Sequence, residues 1–352
     1  MTNKIKYYLY GKSTSISVFK YKAYYPEICK YFQAVSKASD ADIIIASHVY
    51  DVEANIPKFN RCKEKNNAKA FMLSEEPLWD NSWSENIKAR KGKYFVENNK
   101  RTACVDFDWL NHSNSDIYKY ENIPHFLTTS DLYIKNYIKN LKDFSKVKLS
   151  TLYNIKKYDI TGIFSRRLAS EPNNFDFSND KQGKCLNTVK NNLSDLLLDN
   201  DIGLSCDFFG YNNSQLPGLT DDTIYDGRTF HRKKIDWCNT NSRFLFAIEN
   251  TIQKNYITEK VFDSICSFSI PIYFHDDEKI KIKGINLDEL QASSVNDFYD
   301  FCLDSVSSIN FAEYVEHNFE FVRVLFQDWE GKVAHERKTR VGRIFNYISD
   351  LL

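Results

Sequence analysis

Short β-rich runs alternate with helical stretches twice along this chain, and that rhythm constrains its fold more than any other feature. IKYYLYG at 5–11, ADIIIAS at 41–47, AKAFMLS at 68–74 and KYFVE at 93–97 make the first series, with the helical pattern YPEICKYFQAVSKAS between its first two runs. A second series begins near 158 with YDITGIFS, then GLSCDFFG at 203–210, RFLFAIEN at 243–250 and IPIYF at 270–274. Strands separated by helices read as crossover connections and mostly parallel sheets, so the fold class is α/β with two units. A length of 352 residues agrees, since single cores stop growing near 250–300 residues. The Lys-rich stretch LKDFSKVKLSTLYNIKK lies between the series, giving units at 1–155 and 156–330 and a C-terminal helix at 331–352.

Lys plus Arg equals Asp plus Glu at 47 each, so no global field favours nucleic acid or an anionic membrane. Any bound anion must be met by a local cluster. The eight cysteines are widely spaced without a Cys-x-x-Cys pair, which fits reduced thiols and a cytoplasmic setting. No stretch of about 18 apolar residues is present, and the N-terminus has no signal-peptide pattern. Neither G-x-G-x-x-G nor G-x-x-x-x-G-K-[ST] occurs, so a nucleotide would be held by side chains and a helix N-terminus.

The stretch FLFAIENTIQKNYITEKVFDSICSFSIPIYF, from Phe244 to Phe274, reads as a buried strand, a polar loop, a helix opening near Thr258 and a second buried strand. Ligands in such sheets sit beyond the carboxyl ends of the strands. Glu249 and Asn250 then lie at a strand exit, and Tyr256, Thr258, Glu259 and Lys260 surround a helix start that favours an anion. The same residues also read as a plain cap, a first-turn acid and a solvated lysine.

The wording of this segment resembles the donor-binding signature of the α1,3/4-fucosyltransferases, glycosyltransferase family 10. Glu249, Asn250 and Thr251, then Tyr256, Thr258, Glu259 and Lys260, then Pro271, Ile272 and Tyr273 match in order and at the family's spacing. Ile248 and the run Phe274, His275, Asp276 depart from it, at the edge of the donor pocket. The resemblance implies a GT-B enzyme: two Rossmann-like domains facing a cleft, GDP-fucose on the C-terminal one, the acceptor on the N-terminal one, and C-terminal helices packing back. It implies that Lys260 pairs with the pyrophosphate, that Tyr256 and Asn250 contact ribose or fucose, and that Glu259 stabilises oxocarbenium charge.

An inverting transfer also needs a base on the acceptor side. The family supplies a Glu after an N-domain strand, and AFMLSEEPLW offers Glu75 in an E-x-P setting, with Glu76 as its rival. Two adjacent carboxylates in a cleft would raise one pKa toward that of a useful base. The family also places a phosphate-binding Arg near the start of the helix after the donor domain's first strand. The pattern departs here, because the polar insertion LASEPNNFDFSNDKQG follows Arg166 and Arg167. Arg166 is the favoured candidate, with Arg167 or Lys184 at the helix start as alternatives. The tripeptide Asp106-Phe107-Asp108 and the run His275-Asp276-Asp277 have metal-binding composition, yet a metal-independent reaction with no cofactor is the expectation. The C-terminal run KVAHERKTRVGRIFNYISDLL carries Val333, Val341, Ile344, Phe345 and Ile348 as an apolar stripe, which either packs across the domains or forms a weak peripheral membrane contact.

The expected activity is transfer of fucose from GDP-fucose to an oligosaccharide or lipid-linked glycan, such as a lipopolysaccharide, O-antigen or capsule precursor, with no nucleic-acid partner. Transfer of another GDP-linked deoxy sugar or heptose, or a silent glycan- or nucleotide-binding module, are the rival readings.

Overall fold

The computed structural model describes residues 4–64, 67–75, 87–90, 93–98, 103–112, 115–164, 184–199, 204–209, 227–274, 278–287 and 295–352. Its first unit begins with strand β1 (Ile5–Tyr10), helix α1 (Tyr25–Tyr31), β2 (Phe32–Ala34), β3 (Ile43–Ala46), α2 (Val49–Glu53), α3 (Ile56–Glu64) and β4 (Lys69–Leu73). Strands β5 (Ile87–Arg90), β6 (Lys93–Asn98) and β7 (Ala103–Leu110) complete its sheet. Helices α4 (Asp131–Phe144) and α5 (Leu149–Ile155) lead to the second unit. That unit runs β8 (Tyr158–Ile163), β9 (Lys184–Cys185), α6 (Asn187–Asp199), β10 (Cys206–Phe209), α7 (Gly227–Asn241), β11 (Ser242–Phe246) and β12 (Thr251–Ile252). It continues with α8 (Glu259–Cys266), β13 (Ile270–Tyr273), β14 (Ile285–Asn286), α9 (Val295–Ser308) and α10 (Phe311–Leu325), and the chain closes with α11 (Trp329–Leu351).

The two sheets have the orders β2-β1-β3-β4-β7-β6-β5 and β10-β8-β11-β13-β14. Every pairing in the second sheet is parallel. So are the first four of the first sheet. The chain is therefore two α/β domains built on parallel sheets, as the alternating pattern predicts. Helices cover both faces of such sheets, which is why β3 (Ile43, Ile44, Ile45, Ala46) is apolar throughout and wholly buried. One part differs from expectation: β6, the KYFVE run, pairs antiparallel with β5 and β7. Only four residues separate Asn98 from Ala103, too few for the crossover that a parallel neighbour requires.

Residues from Tyr120 to Leu152, ahead of β8, pack into the core beneath the second sheet, with Ile134 and Tyr137 of α4 fully buried. Ser130 starts α4 by accepting from Leu132 N at 3.3 Å. Helix α11 crosses between the domains. Its Val333 joins the core of the second, and Val341, Ile344 and Ile348 are buried among Tyr7, Phe32 and Phe71 of the first. Phe345 stacks on Tyr31 at 4.7 Å. The stripe considered for a membrane surface is thus used up in the protein core. Among the described residues no helix is long and apolar enough to cross a membrane. Cys29, Cys62, Cys206, Cys238, Cys266 and Cys302 are free thiols.

Candidate active site

The loop between β11 and α8 carries most of the polar residues singled out by sequence. Its Asn255 sits at φ 57°, a left-handed conformation that Asn tolerates better than most side chains, and the chain turns there toward the helix. Thr258 is the N-cap residue in extended conformation. Its backbone N donates to Glu249 Oε1 at 2.7 Å, and its hydroxyl lies 2.8 Å from both Glu249 oxygens. Lys260 Nζ reaches Glu249 Oε2 at 3.0 Å and Glu259 Oε1 at 3.9 Å. Glu249, Thr258, Glu259 and Lys260 therefore form one network, with Tyr256 buried beside them. The helix start already holds an anion, the Glu249 carboxylate, so Glu249 acts as a cap and a tether for Lys260.

A lysine not singled out by sequence stands next to this network. Lys190 of α6 is buried, and its Nζ donates to Asn250 Oδ1 at 2.8 Å. Lys184, expected at a helix start, instead lies in β9, paired antiparallel with β12 so that it faces Ile252 across the ribbon. The helix opens three residues later, at Asn187. Arg166, Arg167, Glu76 and the run His275-Asp276-Asp277 lie outside the described residues.

Helix α8 is fixed from beneath. Asp263 is fully buried and accepts from Tyr137 Oη at 2.7 Å, with His231 Nε2 at 2.8 Å and Lys234 Nζ at 2.7 Å. Burial alone raises the Asp263 pKa, but Lys234 and His231 outweigh it and hold the carboxyl well below the usual range. Tyr137 Oη also donates to the Glu259 carbonyl at 3.3 Å, tying the first turn of α8 to α4.

On the first domain, Glu75 follows β4 and is 3% exposed. Its Oε1 accepts from Arg340 Nη2 of α11 at 2.7 Å, and its Oε2 lies 3.2 Å from His125 Nε2. The Arg340 guanidinium also lies 5.0 Å from the centre of the Tyr118 ring and 5.6 Å from that of Tyr24. The raised pKa expected of one carboxylate of the Glu75-Glu76 pair does not fall on Glu75. Burial pushes its carboxyl up, but Arg340 and His125 together outweigh burial and lower it. Among the described residues, the groups that perturb it are Arg340 and His125. His112 is pushed well below the usual imidazole range by burial, then by His125 and Arg340, and burial also lowers His125.

His112 joins the two domains. It follows β7, its Nδ1 is 3.2 Å from the Lys254 carbonyl, and its ring meets the edge of Tyr256 at 5.2 Å. The strand ends carrying Glu75 and His112 thus approach the loop that carries Tyr256, Thr258 and Lys260, which is the meeting of two strand ends expected for ligand binding. His112 had no sequence signal beyond its place just after a strand, and His125, which opens a short 3-10 helix over His125–Thr129, had none. Asp106 of β7 pairs with Lys63 of α3. Among the described residues no three His, Cys, Asp or Glu side chains converge as a metal site.

Residues 205–300, from the edge of β10 into α9, match a family model described as glycosyltransferase family 10 (fucosyltransferase) C-term. The chain is also similar to a solved structure described as alpha1,3-fucosyltransferase with GDP-fucose, at 16% identity over 96% of this chain and 90% of that one, with a TM-score of 0.46. A structure described as the same type of enzyme with GDP is similar at 13% identity, over 96% of this chain and 90% of that one, with a TM-score of 0.42. No curated protein matches the chain in sequence.

Proposed function

We propose that the chain is a glycosyltransferase of family 10 that moves fucose from GDP-fucose to a glycan hydroxyl with inversion, using Glu75 as the base. The observation that carries the reading is the Glu249-Asn250, Tyr256, Thr258-Glu259-Lys260 constellation around the start of α8, inside the matched segment and opposite the strand end that bears Glu75.

In this reading the acceptor oxygen attacks the anomeric carbon from one face while the bond to the diphosphate oxygen breaks on the other. The electron pair leaves with GDP, and the hydroxyl proton passes to the Glu75 carboxylate. A carboxylate held low by Arg340 is ionised at neutral pH but has a small proton affinity. Transfer is then late, once bond formation has acidified the hydroxyl. Lys260 and Lys190 offset the charge that grows on the diphosphate, and Glu249 keeps the Lys260 ammonium in place for that purpose. Glu259, at 22% side-chain exposure in the first turn of α8, faces the developing positive charge on the sugar. The acceptor is an oligosaccharide or lipid-linked glycan held on the first domain.

The test is incubation of the full chain with GDP-fucose and a glycan acceptor, reading GDP release and the anomeric configuration of the product. Inversion is expected; retention would overturn the mechanism, and failure to release GDP from any GDP-sugar would overturn the activity. Lys260→Ala should weaken GDP binding by about 1.5–3 kcal/mol, the range for hydrogen bonds to charged groups, and calorimetry showing an unchanged affinity would remove Lys260 from the donor site. Because the proposed charge stabilisation comes from side chains and a helix dipole, EDTA should leave most of the activity. Complete loss with rescue by Mn²⁺ would point to a metal site instead.

A further inference from the structure

A cavity of about 480 Å³ opens on the first domain, beside the second half of β1 and beyond the carboxyl end of β2. Phe19, Tyr21 and Tyr25 contribute aromatic surface to its lining, Lys20 and Lys22 contribute charge, and Ser36 a hydroxyl. No Asp or Glu lines it, and no described carboxylate pairs with either lysine. Tyr25 is 60% exposed, so its ring is free to meet a flat partner at the mouth of the cavity. Aromatic platforms bind the apolar faces of sugar rings, and unpaired ammonium groups at the rim select negative charge.

The loop that forms the cavity also forms the surroundings of Glu75. Ile16 O accepts from Glu75 N at 3.0 Å. Tyr21 meets the Tyr24 ring at 6.4 Å, and Tyr24 in turn lies under the Arg340 guanidinium. One face of residues 13–25 therefore borders the candidate base and the other borders the cavity.

We infer that this cavity is a subsite for a negatively charged sugar residue, so that the acceptor class is an acidic glycan. The inference rests on the reading of the first domain as the acceptor domain. It is tested by calorimetry of the full chain with a hyaluronan tetrasaccharide, neutral chitotetraose and inorganic phosphate. The hyaluronan fragment should bind at least roughly tenfold more tightly than chitotetraose. A Lys20→Ser/Lys22→Ser double variant and Tyr25→Ala should each weaken it by about tenfold or more, with GDP affinity and thermal midpoint unchanged. All three positions are exposed, so the variants should fold. Equal affinity for the two saccharides, indifference to the variants, or phosphate competing as well as hyaluronan would each overturn the subsite. If the wild type binds hyaluronan through these residues but binds neither GDP nor GDP-fucose, the transferase reading fails while the saccharide site stands.

Discussion

Arg340→Ala should cost about 3–5 kcal/mol of folding stability, the range for removing one partner of a buried ion pair, because it leaves the Glu75 carboxylate uncompensated. Both side chains are 3% exposed, so water cannot replace the lost guanidinium without opening the joint between α11 and the first domain. Urea unfolding followed by tryptophan fluorescence reads the loss. The double variant Glu75→Leu/Arg340→Met should be far closer to wild type, since swapping a buried pair for apolar groups of similar volume is often nearly neutral. Equal damage in the single and double variants would mean that packing rather than charge dominates this site. The pH dependence has a defined sign. Glu75 is held below its ordinary 4.5, so its contribution is complete above that pH and is lost as pH falls through its lowered folded value. His112 and His125 are held below 6.5, so the unfolded chain binds more protons and stability already declines as pH drops below about 6.5.

Glu75→Gln should lower kcat by a factor of about 10² to 10⁴, the usual contribution of a general base, while GDP affinity stays near wild type because the donor residues lie on the other domain. Gln retains the shape and one acceptor oxygen for Arg340 but cannot take the acceptor proton. It also leaves a buried cation without its counter-charge, so kcat must be measured where near-ultraviolet circular dichroism shows the variant folded. Glu76→Gln is the parallel control. If Glu76→Gln loses activity and Glu75→Gln keeps it, the base lies one residue later and Glu75 is a structural partner of Arg340. If both keep wild-type turnover, the base lies elsewhere.

What sequence revealed and what it hid differ in their range along the chain. The runs at 5–11, 41–47, 68–74, 158–165, 203–210, 243–250 and 270–274 all contain strands, because clusters of β-branched and aromatic residues report a strand without needing to know its neighbours, most plainly in the wholly buried IIIA and IPIY. The strand–loop–helix order around Thr258 was equally legible, as its residues are local to one another. The three-residue β2 and the two-residue β9 and β12 carry too little pattern to stand out, and the reversed direction of β6 depends on a short connection rather than on composition. The ionic centres were hidden for a further reason. Glu75 finds Arg340 across 265 positions, Asp263 finds Tyr137 across 126, and Lys190 finds Asn250 across 60. Arg340, Asp263 and Lys190 each look, alone, like an ordinary surface charge.

The path of α11 has a consequence for how the protein is made. Tyr7, Phe32 and Phe71 leave the ribosome well before Val341, Ile344 and Ile348, with which they share a core and which follow the sheet of the second domain in the chain. During synthesis the first domain therefore waits with an open apolar face and a Glu75 that lacks Arg340, while the second can already close over its own sheet. Vectorial folding runs in reverse for this pair: the domain translated first is completed last.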